Sequence, residues 1–275
     1  MDFEETERGV PEVSTDSGST SSVEVVGVNG AQPSTSGRRA GEAEGDVSIR
    51  ALYNIPDSVK MRIPAPLEKL SKPTGETVFF TDVFKHGLRL PLRHSVQRIL
   101  AAIGYAPGQF NPNFWITLLG TITAFGIAGE GEPSYEQFAH LYSVTRAKSA
   151  DQVGWVQSNC LSAGQRGHFV VGVPSSQKTW RRHRVLVSGA WESAPGVIVE
   201  KHIPTTFQTI VSLKRPIATR REVEVIERVR SLIPEEDRFH KTLLDYKNLF
   251  RAGLIGKPEY LRRKKEEEEK EKESK

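Results

Sequence analysis

The longest apolar run in the chain, FWITLLGTITAFGIA from Phe114 to Ala128, constrains the fold more than any other feature. It is about five residues short of the ~20 that span a bilayer, and three threonines interrupt it. Asn111 suits the cap position of a helix that begins at Pro112. The run therefore predicts a helix through Ala124 that is buried in a protein core, not in a membrane.

Helical signals recur on both sides of this run. A stripe of apolar residues from Val96 to Ile103, stopped by Gly104, predicts an amphipathic helix. Two capping boxes predict further helix starts. In a capping box, a Ser or Thr and the Gln or Glu three residues later each accept a hydrogen bond from the other's backbone N–H. These boxes pair Ser134 with Gln137 and Thr219 with Glu222, and the second helix should also carry a Glu224–Arg228 pair. A helix is predicted over Val78–His86, with Gly87 as its cap. Another is predicted after Pro234, with Gly253 as its cap and with its apolar side chains Leu243, Tyr246 and Phe250 facing inward.

The periodicity changes after Asp151. The segments VGWVQSN, GHFVVGV and RRHRVLVSG are short, β-branched and broken by glycine, which predicts an antiparallel sheet of three to five strands. Helices, then strands, then helices indicate an α+β fold. We expect an N-terminal helical half packed on a small antiparallel sheet, followed by C-terminal helices.

Composition predicts the organisation of the rest of the chain. The first fifty residues hold ten acidic and four basic side chains and one aromatic, Phe3, so they bury too little apolar surface to fold. The predicted divisions are a disordered acidic, Ser- and Gly-rich tail (1–50), a Pro-rich linker (51–74), an α+β core (75–200), a C-terminal helical extension (201–255) and a Glu/Lys tail (256–275). The last segment is compatible with a helix, but it has no apolar stripe after Leu261 to support a coiled coil.

Charge is distributed unevenly along the chain. From Ala51 to Arg221 there are twenty basic and ten acidic residues, a difference of +10, which suits contact with nucleic acid or a solvated surface. A single cysteine, Cys160, and the lack of an apolar leader predict an intracellular protein, in the nucleus or the cytoplasm. Arg262–Lys265 fits a nuclear import signal or, with the glutamates that follow, a solvated charged helix.

A basic segment beside a tryptophan forms the candidate nucleic-acid site. On a strand, Trp180, Arg182 and Arg184 share one face, where cations can neutralise phosphates and the ring can stack on a base. The alternative is a strand with a solvated face and a core tryptophan. The residues expected to contact nucleic acid are Arg166, Lys178, Trp180, Arg181, Arg182 and Arg184.

No catalytic, cofactor or metal site is predicted. Gly172–Thr179 ends in Lys-Thr as a P-loop does, but Gln177 replaces the second glycine and Pro174 removes a backbone donor, so a hairpin loop is favoured. The histidines have no metal-ligand spacing, and His86 and His94 suit surface or core positions. Phosphoryl transfer needs three carboxylates that hold two metal ions. Asp237 and Glu273 have the spacing of such an Asp–Glu pair, but Glu273 lies in the charged tail, where nothing would hold it rigidly, and no spacing favours the trio Asp82, Asp151 and Glu192.

Two blocks of the chain together resemble a known family. They are FKHGLRLPLRHSVQRILAAIGYAPGQFNPNFW, from Phe84 to Trp115, and GWVQSNCLSAGQRGHFVVGVPSSQKTWRRHRVLVSGAWE, from Gly154 to Glu192. Their turns and tryptophans resemble the gypsy-type plant transposase domain, also called the plant transposon protein domain family, over residues 75–195. The resemblance implies origin in a gypsy-like retroelement and carries over no catalytic residues. It implies that Trp115, Trp155, Trp180 and Trp191 are framework residues.

Three functions follow as hypotheses. The first is a non-enzymatic, retrotransposon-derived structural or partner-binding module, which self-associates or binds a partner through an exposed apolar patch at Leu88, Leu90 and Leu92. The second is a sequence-tolerant nucleic-acid-binding module that uses the basic strand. The third is an active transposase. A structural relic with no retained activity is a further alternative. No membrane, cofactor or small-molecule substrate is expected.

Overall fold

The computed structural model describes residues 49–65, 68, 75–146, 155–161, 168–175, 183–209 and 213–274, which form an α+β structure. The strands are β1 (Val59–Arg62), β2 (Thr77–Phe80), β3 (Tyr142–Arg146), β4 (Val156–Cys160) and β5 (Arg184–Gly189). The helices are α1 (Asp82–Lys85), α2 (His94–Ile103), α3 (Pro112–Ile127), α4 (Tyr135–Leu141), α5 (Arg220–Leu232), α6 (His240–Leu243), α7 (Tyr246–Arg251) and α8 (Lys257–Glu273).

Two antiparallel sheets replace the one that the sequence predicts. β5 lies between β1 and β2 in a three-stranded sheet, and β3 pairs with β4 in a hairpin. The predicted strands at Val156 and Arg184 exist, but they belong to different sheets. The third segment contributes only a bridge between Val171 and Phe239 among the described residues. The prediction of a common sheet was wrong because strand partners are chosen by contacts distant in sequence.

The helix starts predicted from capping are confirmed. The Asn111 side chain accepts a hydrogen bond from the Phe114 N–H at the start of α3. Both capping boxes form, at the starts of α4 and α5. α3 is buried on every side as far as Phe125 and continues to Ile127, three residues beyond the predicted end. Among the described residues, no helix is long and apolar enough to cross a membrane.

The predicted helix over Val78–His86 is wrong in its first half. Residues 77–80 form β2, and only Asp82–Lys85 are helical. Thr, Val and two Phe favour a strand, and all four are buried because both faces of β2 are covered. Phe79 faces the aromatic core, with its ring centroid 6.2 Å from that of Trp115 and 5.7 Å from that of Trp191.

The predicted linker and tail are partly folded. Residues 49–52 are helical, and Tyr53, Ile55, Val59 and Met61 are buried in the same apolar cluster as the core helices. The strand β1 was not predicted, because it has only four residues and lies in a proline-rich segment. The alternation of buried Val59 and Met61 with exposed residues is too short to stand out in the sequence. Residues 1–48, which hold almost all of the predicted tail, lie outside the described residues.

The helices of the predicted C-terminal extension share this core. Ile226, Val229, Leu243 and Leu249 belong to the same buried cluster as α3. The predicted helix through Leu243 and Phe250 is two helices, because Asp245 accepts a hydrogen bond from the Lys247 N–H and starts α7.

Two side-chain predictions in this region were wrong. Phe250 is exposed and stacks on Tyr260 with ring centroids 4.5 Å apart, instead of facing inward. Glu224 pairs with Arg220 instead of Arg228, which binds Glu130 from outside its own helix. Glu224 has an arginine four residues before it and another four residues after it, so helical spacing alone does not decide which of the two it binds.

Glycine at position 87 is required by both conformation and space. Its φ is +100°, and a Cβ there would lie 2.7 Å from the Cδ2 atom of the buried Leu249. Gly104 has a similar left-handed conformation, with φ of +79°, but no atom would lie within 4 Å of its Cβ. We expect Gly87→Ala to cost about 2–4 kcal/mol of unfolding free energy and Gly104→Ala about 1 kcal/mol. Urea denaturation of both variants measures this difference, and equal losses would contradict the packing at Leu249.

A partly buried histidine, His86, should destabilise the fold in acid. Burial, the largest cause, lowers the pKa of His86 to about 4, with smaller contributions from His240 and Lys85 and an opposing one from Asp82. The unfolded chain therefore binds a proton near pH 6.5, whereas the folded protein does so only near pH 4, and stability falls between these values.

We expect His86→Gln to reduce the loss of unfolding free energy between pH 7 and pH 4.5 by about 2 kcal/mol. Urea denaturation at both pH values measures this loss. The matched control is His183→Gln, which changes an exposed histidine. An equal acid loss in wild type and His86→Gln would show that His86 is not the acid-sensitive group.

Candidate functional site

Of the six residues expected to contact nucleic acid, the structure describes one. Arg184 is the first residue of β5 and is half-buried. The other five, Arg166, Lys178, Trp180, Arg181 and Arg182, lie outside the described residues. The P-loop-like segment is described only as far as Ser175, and a strand, not a helix, begins at Arg184.

Arg184 lies on the sheet face that carries two partly exposed aromatic rings. Its register partner is Phe80, so the two side chains share a face. The Phe80 ring centroid is 5.8 Å from that of Trp155, which in turn lies 6.2 Å from that of Phe207. Trp155 and Phe207 are both half-buried. We call Arg184, Phe80, Trp155 and Phe207 the Arg184 face.

A second candidate surface includes the loop between β5 and residue 203. The carboxylate of Glu192 anchors this loop. Glu192 Oε1 accepts hydrogen bonds from Gln97 Nε2 of α2 at 3.1 Å and from the Ile203 N–H at 2.6 Å. Glu192 Oε2 is 2.7 Å from Nδ1 of His202. Gln97 Nε2 also donates to the Lys201 carbonyl at 2.8 Å. Both ends of the loop are therefore fixed to α2.

The middle of this loop presents apolar side chains to solvent. Ile198 is 88% exposed and Val197 is 51% exposed. Two pockets of about 310 and 190 Å³ lie between the loop and α2, and His94, Gln97 and Ile198 line both. Ala101 and Ala102 line the larger one.

Charged side chains of both signs border the larger pocket. Arg98 projects from α2 one turn after His94, and Glu200 and Lys201 follow Ile198 in the loop. We call His94, Arg98, Ala102, Val197, Ile198, Glu200 and Lys201 the α2–loop surface. This surface combines the exposed side chains of Val197 and Ile198, the larger pocket, and charged groups of both signs.

The apolar patch that the sequence placed at Leu88, Leu90 and Leu92 is absent. All three side chains are buried in the core cluster, so the prediction of their exposure was wrong. Sequence reasoning also missed Val197 and Ile198. The signal that was available is the run Val197-Ile198-Val199 after Pro195-Gly196, three apolar residues with no helical or strand periodicity around them.

Two of the carboxylates considered for phosphoryl transfer have other partners, and Asp151 lies outside the described residues. Asp82 accepts a hydrogen bond from Lys85 Nζ at 2.8 Å, and Glu192 anchors the loop. Asp237 lies in a 3₁₀ turn and Glu273 ends α8. Within the described ranges, no three His, Cys, Asp or Glu side chains are grouped so that they could hold a metal ion.

The basic run Arg262–Lys265 lies within α8. Arg262, Lys264 and Lys265 each pair with a glutamate four residues further on. Arg263 instead pairs with Glu259, four residues earlier, at 2.8 Å. The helix thus has the pairing pattern of the solvated charged helix that the sequence offered as one of two alternatives.

Comparison of the chain with models of protein families, with curated proteins and with solved structures found no match in any of the three.

Proposed function

We propose that this chain is a non-enzymatic structural module of retroelement origin that self-associates through the α2–loop surface. The observation that carries the proposal is the exposure of Ile198, 88%, beside a pocket on the same surface. Together with its neighbour Val197, which is 51% exposed, Ile198 forms a contiguous exposed apolar surface, and contiguous surface of this kind is typical of an interaction site.

The α2–loop surface is complementary to itself. A two-fold dimer brings the same patch of each copy together, so each copy must supply both a projection and a recess. Ile198 is the projection, and the pocket of about 310 Å³ beside Ala101 and Ala102 is the recess. Arg98 and Glu200 supply opposite charges, so Arg98 of one copy can face Glu200 of the other.

Anchoring of the loop favours association energetically. A loop that orders only on binding opposes association with its lost conformational entropy. Here Glu192 fixes the loop to Gln97 and to the Ile203 N–H before any partner binds. The loop that carries Ile198 therefore loses little further conformational entropy when a partner binds.

Retroelement origin rests on the resemblance carried by the two sequence blocks. Three of their tryptophans support the framework role that the resemblance implies, since Trp115 and Trp191 are buried and Trp155 is half-buried. Trp180 lies outside the described residues. A module that assembles with copies of itself fits the structural part of such an element.

Replacement of Ile198 by aspartate should abolish self-association. A charge placed in each of two symmetric contacts must be desolvated without a partner, so we expect the dimer dissociation constant to rise at least tenfold. Sedimentation equilibrium of the full chain measures this constant. The matched control is Ile217→Asp, because Ile217 is 91% exposed but lies outside the α2–loop surface.

Charge reversal provides a second control. Arg98→Glu alone should weaken the dimer, and Arg98→Glu combined with Glu200→Arg should restore it. A wild-type chain that stays monomeric at all concentrations would refute self-association. Equal effects of Ile198→Asp and Ile217→Asp would place the contact elsewhere.

The Arg184 face favours nucleic-acid binding as a second candidate function. Its guanidinium lies on the same face as the partly exposed Trp155 and Phe207 rings. Stacking on an aromatic ring is worth about 1–3 kcal/mol per base, and a cation beside it can neutralise a phosphate.

Arg184→Gln should weaken binding of single-stranded DNA or RNA and lower the slope of log affinity against log salt by about 0.7. A salt titration with fluorescent oligonucleotides and the full chain measures both quantities. Arg220→Gln is the control, because Arg220 is fully solvated and lies at the start of α5. Absence of binding by the wild-type chain at low salt would eliminate this candidate.

A further inference from the structure

The pocket of about 310 Å³ between α2 and the loop carries charged groups on both of its sides. α2 supplies His94 and Arg98, and the loop supplies Glu200 and Lys201. Within the described residues, none of these four side chains makes a hydrogen bond or an ion pair. All eight residues that line the pocket are described. Groups of both charge signs are therefore available to a ligand there.

A buried acceptor lines the same pocket. Gln97 is 6% exposed, and its Nε2 donates to the Glu192 carboxylate and to the Lys201 carbonyl. Both partners are acceptors, so the amide nitrogen must face them, and Oε1 is the polar atom of this side chain that remains. Oε1 accepts no hydrogen bond from the part of the chain that the structure describes. A ligand with an N–H donor would complete its hydrogen bonding.

We infer that this pocket binds an α-amino acid with an aliphatic side chain. The carboxylate of the ligand binds Arg98, whose guanidinium matches two oxygens with paired N–H donors, and Lys201 adds a second positive charge. The ammonium group of the ligand donates to the Glu200 carboxylate and to Oε1 of Gln97.

The apolar lining and the volume of the pocket fit the same class of ligand. Ala101, Ala102 and Ile198 supply apolar surface for an aliphatic side chain. Pockets that hold small molecules begin at about 300 Å³, so this pocket suits a ligand of few atoms. A simple anion would lie beside the Glu200 carboxylate and leave the apolar lining without a contact, which favours a zwitterion.

This ligand site goes beyond the proposed self-association and does not depend on it. Both use the same recess, so a bound amino acid would exclude Ile198 of a second copy. Ligand binding can be measured directly, whether the chain is monomeric or dimeric. The two proposals can therefore fail separately.

Equilibrium dialysis of the full chain against radiolabelled L-leucine measures the affinity. Two competitors keep the aliphatic chain and each lack one charge: leucinamide lacks the carboxylate, and isocaproate lacks the ammonium group. We expect each to compete at least tenfold more weakly than unlabelled L-leucine, because a site with polar groups left unpaired discriminates strongly against the ligand that lacks their partner.

Variants at the two charged walls test the assigned contacts. Arg98→Gln and Glu200→Gln should each weaken the binding of L-leucine at least tenfold. The matched controls are Arg221→Gln and Glu236→Gln, which change the same residue types at exposed positions outside the pocket. These controls should leave the affinity unchanged.

No saturable binding of L-leucine by the wild type would overturn the inference, even if the chain forms a dimer. Equal competition by L-leucine, leucinamide and isocaproate would also overturn it, and so would equal losses of affinity in Arg98→Gln and Arg221→Gln. Binding of L-leucine with the expected losses by a chain that stays monomeric would support the ligand site and refute self-association.

Discussion

A helix with no polar face dictates the rest of this fold. Nearly all of α3 is buried, so an amphipathic partner on one side does not suffice, and other elements must cover it all round. α1, β4, α6 and α7 all contact it. Each large apolar side chain buried in this way contributes about 1.5–3 kcal/mol. This requirement explains why helices more than a hundred residues further along the chain belong to the same core.

The last helix is held by a buried ion pair, since it has little apolar surface of its own. The Glu259 side chain, 1% exposed, binds Arg263 of its own helix and Arg89 of the turn after α1. Nε of Arg89 lies 2.8 Å from Oε2 of Glu259, and the guanidinium also donates to the Phe84 carbonyl and covers the Tyr53 ring. A pair of this kind fixes the position of α8 more than it adds stability, because desolvation offsets much of its attraction.

The parts of the fold that were predictable from the sequence are those decided within a few residues. Asn111 and the capping boxes at Ser134 and Thr219 were identified correctly because each donor and acceptor lie three residues apart. The sheet was not predictable in this way. β5 pairs with β1 and β2, over a hundred residues earlier, so the alternation within each strand carries no information about its partner.

The candidate sites show the same limit. The basic segment was visible as a sequence pattern, yet of its residues only Arg184 can be assigned to a face. Ile198 was missed because its loop is positioned by a contact distant in sequence, the hydrogen bond from Gln97 of α2 to Glu192, 95 residues later.

The burial of Leu88, Leu90 and Leu92 changes where a partner can bind. These residues fill the core around α2, so the helical half presents no leucine patch there. The same helix directs His94 and Arg98 outward, one turn apart, while Val96, Ile99 and Leu100 face inward. α2 thus joins the core to the α2–loop surface, and Gln97 at its boundary bonds to the anchoring carboxylate. The proposed partner contact at Ile198 therefore lies on a loop that is hydrogen-bonded to a core helix without being part of the core.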